Sequence, residues 1–125
     1  MPKEFSRTRR VAELVHRELA TLIAQEIKDP RIRTATVTAV EISPDLRSAK
    51  VYVTQYGADE AHAEKLLAPL RRAAGFLRRR LGEHVELKRV PMLSFYYDSS
   101  VERGIELSRK IEATVKSDQE RHKED

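Results

Sequence analysis

Arginine side chains are the groups in this sequence whose type and spacing best suit chemistry, and they gather in the segment LRRAAGFLRRRLGEHVELKRVP. Five of them precede the first acidic residue of that segment: Arg71, Arg72, Arg78, Arg79 and Arg80. Like charges at helical spacing repel by roughly a few tenths of a kcal/mol per pair, so a cluster of one sign opposes folding. A guanidinium can bind a phosphate through two parallel hydrogen bonds and can stack on a base. The cluster therefore predicts a surface that binds nucleic acid.

Other basic residues extend the predicted surface beyond this segment. They are Lys88 and Arg89 in the region that follows, Arg7, Arg9 and Arg10 near the start of the chain, and Arg31 and Arg33 after an Asp-Pro pair. The net charge of +4 and the pI near 9.5 also favour an anionic partner. Two alternatives stay open on these features alone: an ordinary solvated helix face, and a basic surface that binds an acidic protein.

No group of residues in the sequence indicates catalysis. The histidines His16, His62, His84 and His122 lie in separate segments and lack metal-ligand spacing. The chain has no cysteine, which excludes disulfides, thiolate zinc sites and cysteine nucleophiles. The tetrapeptide DEAH at residues 59–62 resembles a helicase signature, but no GxxxxGK[ST] loop accompanies it. We therefore expect no enzymatic activity, no metal and no cofactor.

The length and composition indicate one small domain. We expect a flexible N-terminus over residues 1–5, one domain over residues 6–115 and a charged tail over residues 116–125. The N-terminus lacks the apolar run of a signal peptide, and no stretch approaches the roughly 20 apolar residues of a membrane span. We expect a cytoplasmic monomer that does not bind membranes.

Hydrophobic periodicity predicts the elements that must position the basic residues. A helix with one apolar stripe begins near Thr8 and ends before Pro30. Two alternating segments, Thr34–Ile42 and Leu46–Tyr56, are typical of strands, and the Ser-Pro-Asp turn between them predicts an antiparallel hairpin.

The second half of the chain predicts more helix and one more strand. A helical segment spans residues 58–81 with Gly82 as its cap, and a third strand lies within residues 85–97. The cluster Asp98-Ser99-Ser100 is typical of an N-cap and introduces a C-terminal helix. The pattern predicts an α+β fold with helices on one face of a three-stranded sheet.

Gly75 interrupts the long helical segment, and its neighbour Phe76 does not fit the apolar stripe. On a helical wheel Phe76 falls well away from Leu70, Leu77 and Leu81. A bend at Gly75 would rotate Phe76 into the core, and glycine is a usual site for a kink. We therefore predict a helix, a kink and a second helix in place of one straight helix.

The predicted kink contains Ala73-Ala74-Gly75 at the place where RNA-binding KH modules carry a GxxG loop between two helices. This motif is followed by FLRRRLGEHVELKRVPMLSFYYDSS, and the chain also contains KDPRI, VEISPDLRSAKVYV and VERGIEL. With these motifs in this order, the sequence over roughly residues 6–111 resembles the ribosome-binding factor A family.

The resemblance implies a type II KH-like fold in the order α-β-β-α-(kink)-α-β, in which the Ala-x-Gly kink replaces the GxxG loop. It implies an assembly factor that binds 16S rRNA and the free, immature 30S subunit without catalysis. It also implies support of late maturation, including processing of the 5′ end of 16S rRNA, a part in growth in the cold, and release with help from a GTPase.

Overall fold

The described part of the chain folds into two α-helices and three strands in the order α-β-β-α-β. The computed structural model describes residues 3–57 and 60–100. The elements are α1 (Lys3–Glu26), β1 (Ala35–Ile42), β2 (Ser48–Gln55), α2 (Ala63–His84) and β3 (Met92–Tyr97), with a single 3-10 turn before α2. The predicted α+β class is confirmed. The predicted C-terminal helix and charged tail lie outside the described residues.

The three strands form one mixed sheet in the order β1-β2-β3. β1 and β2 are antiparallel, with Val37 opposite Val53, which confirms the predicted hairpin. The register shifts between Val37 and Ala39, where a β-bulge places one extra residue in β1. β3 pairs with β2 in parallel, with Phe95 opposite Val51. Parallel pairing needs a crossover connection, and α2 with its flanking loops supplies it.

The turn of the hairpin explains why β2 begins later than predicted. The N–H of Leu46 donates to the carbonyl of Ser43 (2.9 Å), and the carboxylate of Asp45 accepts from the N–H of Arg47 (3.0 Å). Leu46 has φ of 62°, a left-handed conformation that is uncommon for residues other than glycine. Because Leu46 belongs to the turn, β2 begins at Ser48, two residues after the predicted start.

Both helices pack on the same face of the sheet and form one core with it. The buried side chains include Val15, Leu19, Leu22 and Ile23 of α1, Leu66, Leu70, Leu77 and Leu81 of α2, and Val37, Ala49, Val51, Val53, Leu93 and Phe95 of the sheet. Each fully buried leucine stabilises the fold by about 1.5–3 kcal/mol. On the opposite face of the sheet, the rings of Tyr52 and Tyr96 lie 5.7 Å apart.

The predicted kink at Gly75 is wrong, because α2 continues through this residue without interruption. Phe76 does not enter the core, and 37% of its surface is exposed. Leu70, Leu77 and Leu81 are fully buried on one stripe, so a bend would draw some of them off the sheet. An interior glycine costs about 1 kcal/mol, whereas emptying a buried leucine site costs about 2–5 kcal/mol. The continuous helix is therefore the more stable arrangement.

The prediction that Gly82 caps α2 is wrong, because Gly82 lies inside the last turn of the helix. The helix ends at His84, and the N–H of Val85 donates to the carbonyl of Leu81 (3.0 Å). A Cβ on Gly82 would lie 3.1 Å from Cγ2 of Val90. The glycine therefore lets the loop before β3 pack closely on the helix.

Two element boundaries also differ from the predicted ones. α1 begins at Lys3, five residues before the predicted start near Thr8. β3 begins at Met92, and residues 85–91 form a loop instead of the first half of a strand. The loop contains Pro91, which has no N–H to contribute to a sheet.

A proline inside α2 is a feature that the sequence prediction passed over. Pro69 lies beyond the first turn of the helix, and its side chain is buried. Because proline has no N–H, the carbonyl of Lys65, four residues earlier, receives no helical hydrogen bond at this point. The one weakened turn of α2 is therefore near its start and not at Gly75.

Candidate nucleic-acid interface

Two arginines of α2 bind the edge of the sheet. Nη2 of Arg71 donates to the carbonyl of Phe95 in β3 (3.3 Å). Nε and Nη2 of Arg78 both donate to the carbonyl of Val90 (3.2 and 2.9 Å). Arg71 also forms an exposed salt bridge with Glu64 (3.3 Å). These two side chains are exposed and add positive charge, but they also hold α2 against β3 and the loop before it.

Arg80 joins the two helices. Its guanidinium forms salt bridges with Glu26 at the end of α1 and with Glu83 in the next turn of α2, and Nε lies 2.8 Å from Oε2 of Glu26. The hydrogen bond from Arg80 is the main reason why the pKa of Glu26 is lowered from its usual value of 4.5. The same contact raises the pKa of Arg80. Two carboxylates neutralise this cation, so its place in the structure is the packing of α1 on α2.

Arg72 and Arg79 make no hydrogen bond or salt bridge with any residue that the structure describes. The guanidinium carbon of Arg79 lies 5.8 Å from the centroid of the exposed Phe76 ring, a cation–π contact. Arg72 lies close enough to Asp29 for its charge to help lower the pKa of that carboxyl. Among the five arginines of α2, these two are the ones without a hydrogen bond or salt bridge to a described residue.

The motif Ala73-Ala74-Gly75 lies between Arg71-Arg72 and Arg78-Arg79-Arg80 along α2. Ala73 and Ala74 are half-buried against the core, whereas Gly75 is exposed. A Cβ added to Gly75 would meet none of the described residues within 4 Å. A shallow groove of about 490 Å³ runs past Ala74 and Gly75, with Arg78 and Arg79 on its wall. The helix surface therefore carries only small side chains at the motif and arginines before and after it.

The predicted residues outside α2 divide into near and distant groups. Lys88 and Arg89 are exposed in the loop that ends at Val90, the residue that Arg78 contacts. Arg31 and Arg72 line one cavity, so the turn after α1 adds a cation to the same surface. Arg33 is exposed in that turn.

The three arginines near the start of the chain form a separate patch. Arg7, Arg9 and Arg10 are exposed on the first turns of α1. Arg10 precedes Glu26 by sixteen residues, which corresponds to roughly 24 Å along a helix. Arg9 forms an exposed salt bridge with Glu13 (3.7 Å). The structure therefore does not bring these residues beside the α2 arginines.

Lys65 and Tyr56 are surface residues that the sequence prediction missed. Lys65 precedes Arg72 by seven residues, two helical turns, so the same helical spacing that grouped the arginines could have found it. Tyr56 directly follows β2 and is fully exposed (103%), and no hydrophobic pattern would distinguish it from a strand residue. Both residues line the cavity that Arg31 and Arg72 share.

The described residues show neither a cluster that could ligate a metal nor a helix suited to crossing a bilayer. No three acidic, histidine or cysteine side chains among residues 3–57 and 60–100 converge on one point. Neither α1 nor α2 combines the length and apolarity that a membrane span requires. Nε2 of the half-buried His16 donates to the carbonyl of Val37 (2.8 Å), which is a structural contact.

Comparison with known proteins identifies the family. The family described as ribosome-binding factor A matches residues 7–111. The chain belongs to the ribosome-binding factor A family. Ribosome-binding factor A of Aromatoleum aromaticum is 53% identical over 125 residues, which cover all of this chain and 98% of that protein. The predicted family is therefore confirmed over nearly the whole chain.

Solved structures of the family have the same fold. The crystal structure of ribosome-binding factor A from Thermus thermophilus matches with a TM-score of 0.64 and 32% identity, over 72% of this chain and 93% of that chain. A homology model of the Thermus thermophilus ribosome-binding factor A, fitted into a cryo-EM map of its complex with the 30S subunit, matches with a TM-score of 0.58 and 33% identity, over 70% of this chain and 91% of that chain.

Proposed function

We infer that this protein is a ribosome assembly factor that binds the small ribosomal subunit through RNA and performs no catalysis. The family gives the general role, and the Thermus thermophilus relative in a complex with the 30S subunit supports that subunit as the partner. The observation that carries the proposal is the exposed Gly75 between Arg72 and Arg79, which form no salt bridge with any described residue. This arrangement suits a phosphate backbone lying across a helix.

The space around Gly75 supports close approach by a partner. Glycine in the interior of an exposed helix costs about 1 kcal/mol relative to alanine. At Gly82 a tight contact with Val90 explains the absence of a side chain, but no described residue provides such a reason at Gly75. A partner outside the chain does, because a helix without a Cβ at this point allows a sugar-phosphate chain to reach the helix backbone.

The cations suit phosphate better than they suit an acidic protein surface. Arginine forms a planar fork that matches two phosphate oxygens, and α2 carries five arginines and a single lysine. Lys88 and Arg89 lie in the loop whose Val90 contacts Arg78, and Arg31 lines a cavity with Arg72. Arg33 is exposed in the same turn as Arg31. Arg7, Arg9 and Arg10 would form a second contact on α1, about two dozen Å along that helix from its end.

Family membership supports a finer proposal. The partner is the free, immature 30S subunit, and the RNA is 16S rRNA. The factor supports late maturation, including processing of the 5′ end of 16S rRNA, and growth in the cold. A GTPase assists its release, and it acts as a cytoplasmic monomer. We propose that the fold is a variant of the type II KH domain, in which Ala73-Ala74-Gly75, inside the continuous helix α2, takes the place of the GxxG loop.

Co-sedimentation with purified 30S subunits tests the proposal. The double variant Arg72→Glu/Arg79→Glu should fold normally and lose most of its binding. The matched control is Arg47→Glu/Lys50→Glu, which changes the net charge equally at two exposed sites of the hairpin. If both double variants bind as the parent does, the α2 surface is not the interface.

Salt dependence separates RNA from an acidic protein as the partner. Each phosphate neutralised contributes about −0.7 to the slope of log K against log salt for single-stranded RNA. Removal of two phosphate contacts should therefore make the slope shallower by about 1.4, as measured with naked 16S rRNA. Parent protein that binds intact subunits but ignores naked rRNA would instead indicate recognition of a ribosomal protein.

A further inference from the structure

A basic cavity of about 730 Å³ opens where the turn after α1, the end of β2 and the first turns of α2 meet. Lys65 and Arg72 line it together with Arg31, whose guanidinium is paired with Asp29, and none of the described lining residues is acidic. Lys65 and Arg72 form no salt bridge with any described residue. Like-signed charge inside a concave surface focuses the field and attracts anions. Pockets of roughly 300–1,000 Å³ are of the size that holds small ligands.

One wall of the cavity is held rigid by an ion pair behind it. Nε and Nη2 of Arg31 donate to the two carboxylate oxygens of Asp29 (3.0, 3.2 and 2.6 Å), and the backbone N–H of Arg31 donates to the same carboxylate (2.9 Å). These hydrogen bonds from Arg31 lower the pKa of Asp29 to about 2, so the carboxylate stays ionised. The side-chain amide of Gln55 donates to the carbonyl of Arg31 (3.1 Å). The turn is therefore fixed before any ligand binds.

The rest of the cavity offers surface for a ring. Tyr56 lies at the cavity with its side chain fully exposed (103%), and it makes no contact with the core. Gly57 beside it has φ of +81° and no side chain to cover the ring. Ala68 and Pro69 form an apolar part of the lining. An exposed aromatic ring beside cations is the arrangement on which single-stranded nucleic acids stack their bases.

We propose that this cavity holds one nucleotide of a single-stranded RNA, with its phosphate against Lys65 and Arg72 and its base on Tyr56. This inference rests on the proposed function and names a further part of the same RNA surface. Arg72 also lines a smaller cavity that reaches Lys28 and Ala73, so the nucleotide site is continuous with α2 at its small-residue motif.

The chemistry of the site distinguishes single strands from duplexes. In a duplex the bases are stacked and paired inside the helix, so a base can reach Tyr56 only from a loop, a bulge or an end. The phosphate contacts alone would not make this distinction. The cavity therefore gives the protein a preference for unpaired RNA that the arginines of α2 do not provide.

Fluorescence anisotropy with labelled RNA tests the assignment. The probes are a single strand of about eight nucleotides and a hairpin duplex of the same composition. We expect Tyr56→Ala and Lys65→Glu each to weaken single-strand binding by roughly tenfold, because a stacked base and a phosphate contact are each worth about that much. Tyr56→Phe keeps the ring and should bind as the parent does. Lys50→Glu changes the charge equally on the far side of the sheet and should have much the smaller effect.

Each outcome decides the assignment. Equal effects of Lys65→Glu and Lys50→Glu, an unchanged Tyr56→Ala, or parent protein that fails to bind the single strand would each overturn it. Displacement of the RNA probe by AMP at micromolar concentration would assign the cavity to a free nucleotide and also overturn it. If the parent still co-sediments with 30S subunits while Tyr56→Ala binds RNA normally, only the cavity assignment fails and the proposed function stands.

Discussion

Arg79 lies over the ring of Phe76, with its guanidinium carbon 5.8 Å from the ring centroid. This contact explains how a phenylalanine can stay at the surface of a straight helix. The cation covers part of the ring, and the two residues form one flat, positively charged patch beside Gly75. A patch of this kind can accept a base on the guanidinium face while it binds a phosphate at the edge.

Alanine substitution at adjacent positions distinguishes the straight helix from a kinked one. Leu77→Ala should lower the free energy of unfolding by about 2–5 kcal/mol, because Leu77 is completely buried. Phe76→Ala should cost less than Leu77→Ala, because 37% of the Phe76 surface is already exposed and less apolar burial is lost together with the cation–π contact. Urea denaturation followed by circular dichroism gives both values. Equal losses would mean that Phe76 is packed in solution and that the helix bends.

The two glycines of α2 should respond differently to alanine. Gly75→Ala should raise the free energy of unfolding by about 0.5–1 kcal/mol, because the new methyl group has open space and the unfolded chain loses freedom. Gly82→Ala should gain less or lose stability, because its Cβ would lie 3.1 Å from Val90. Thermal denaturation checks both. Weaker 30S binding by the more stable Gly75→Ala protein would support close approach of RNA; a destabilised Gly75→Ala would contradict the straight helix.

The two arginine pairs of α2 should separate into structural and binding roles. Arg71→Ala/Arg78→Ala removes hydrogen bonds to two backbone carbonyls at the sheet edge and should lower stability by roughly 1–2 kcal/mol. Arg72→Ala/Arg79→Ala should change stability by less than about 0.5 kcal/mol, because no described hydrogen bond is lost. Chemical denaturation of the two double variants decides between these outcomes. A stable Arg71→Ala/Arg78→Ala protein would mean that the edge contacts contribute little.

The contact between the helices should make stability depend on pH. The pKa of Glu26 is lowered in the folded state, chiefly by the hydrogen bond from Arg80. Its contribution to folding is therefore full above the usual value of 4.5 and declines as the pH falls through the lowered folded value. Glu26→Gln should be less stable than the parent at neutral pH and converge with it in acid. Glu18→Gln, on the same helix, is the control. If Glu26→Gln lowered the free energy of unfolding by the same amount at all pH values, the ion pair would be contradicted.

The parts of the fold that could be predicted are those that depend on local periodicity. Alternation at Ala49, Val51 and Val53 is a property of one strand, and it gave the correct buried face. The leucine stripe of α2 is likewise contained in one helix. The left-handed Leu46 could not be predicted, because nothing in its side chain requires that conformation.

The sequence was enough to predict that arginines form the candidate site. It was not enough to predict which arginines hold the fold together and which are available to bind a partner. Whether a guanidinium is neutralised depends on groups that are distant in sequence: Glu26 for Arg80 and the Val90 carbonyl for Arg78. The prediction of a kink was wrong for a related reason. The helical wheel compared Phe76 only with the apolar stripe and ignored a polar neighbour, Arg79, that could accommodate the ring at the surface.

The parallel pairing of β3 with β2 imposes an order on synthesis and folding. β1 and β2 are close in sequence and can close as a hairpin within microseconds, whereas β3 can add only after α2 has been made and has crossed the sheet. Until then the second edge of β2 carries unpaired N–H and carbonyl groups. The nascent protein therefore passes through a stage in which another strand could compete for that edge. The time that α2 needs to fold onto the sheet sets how long this edge stays unpaired.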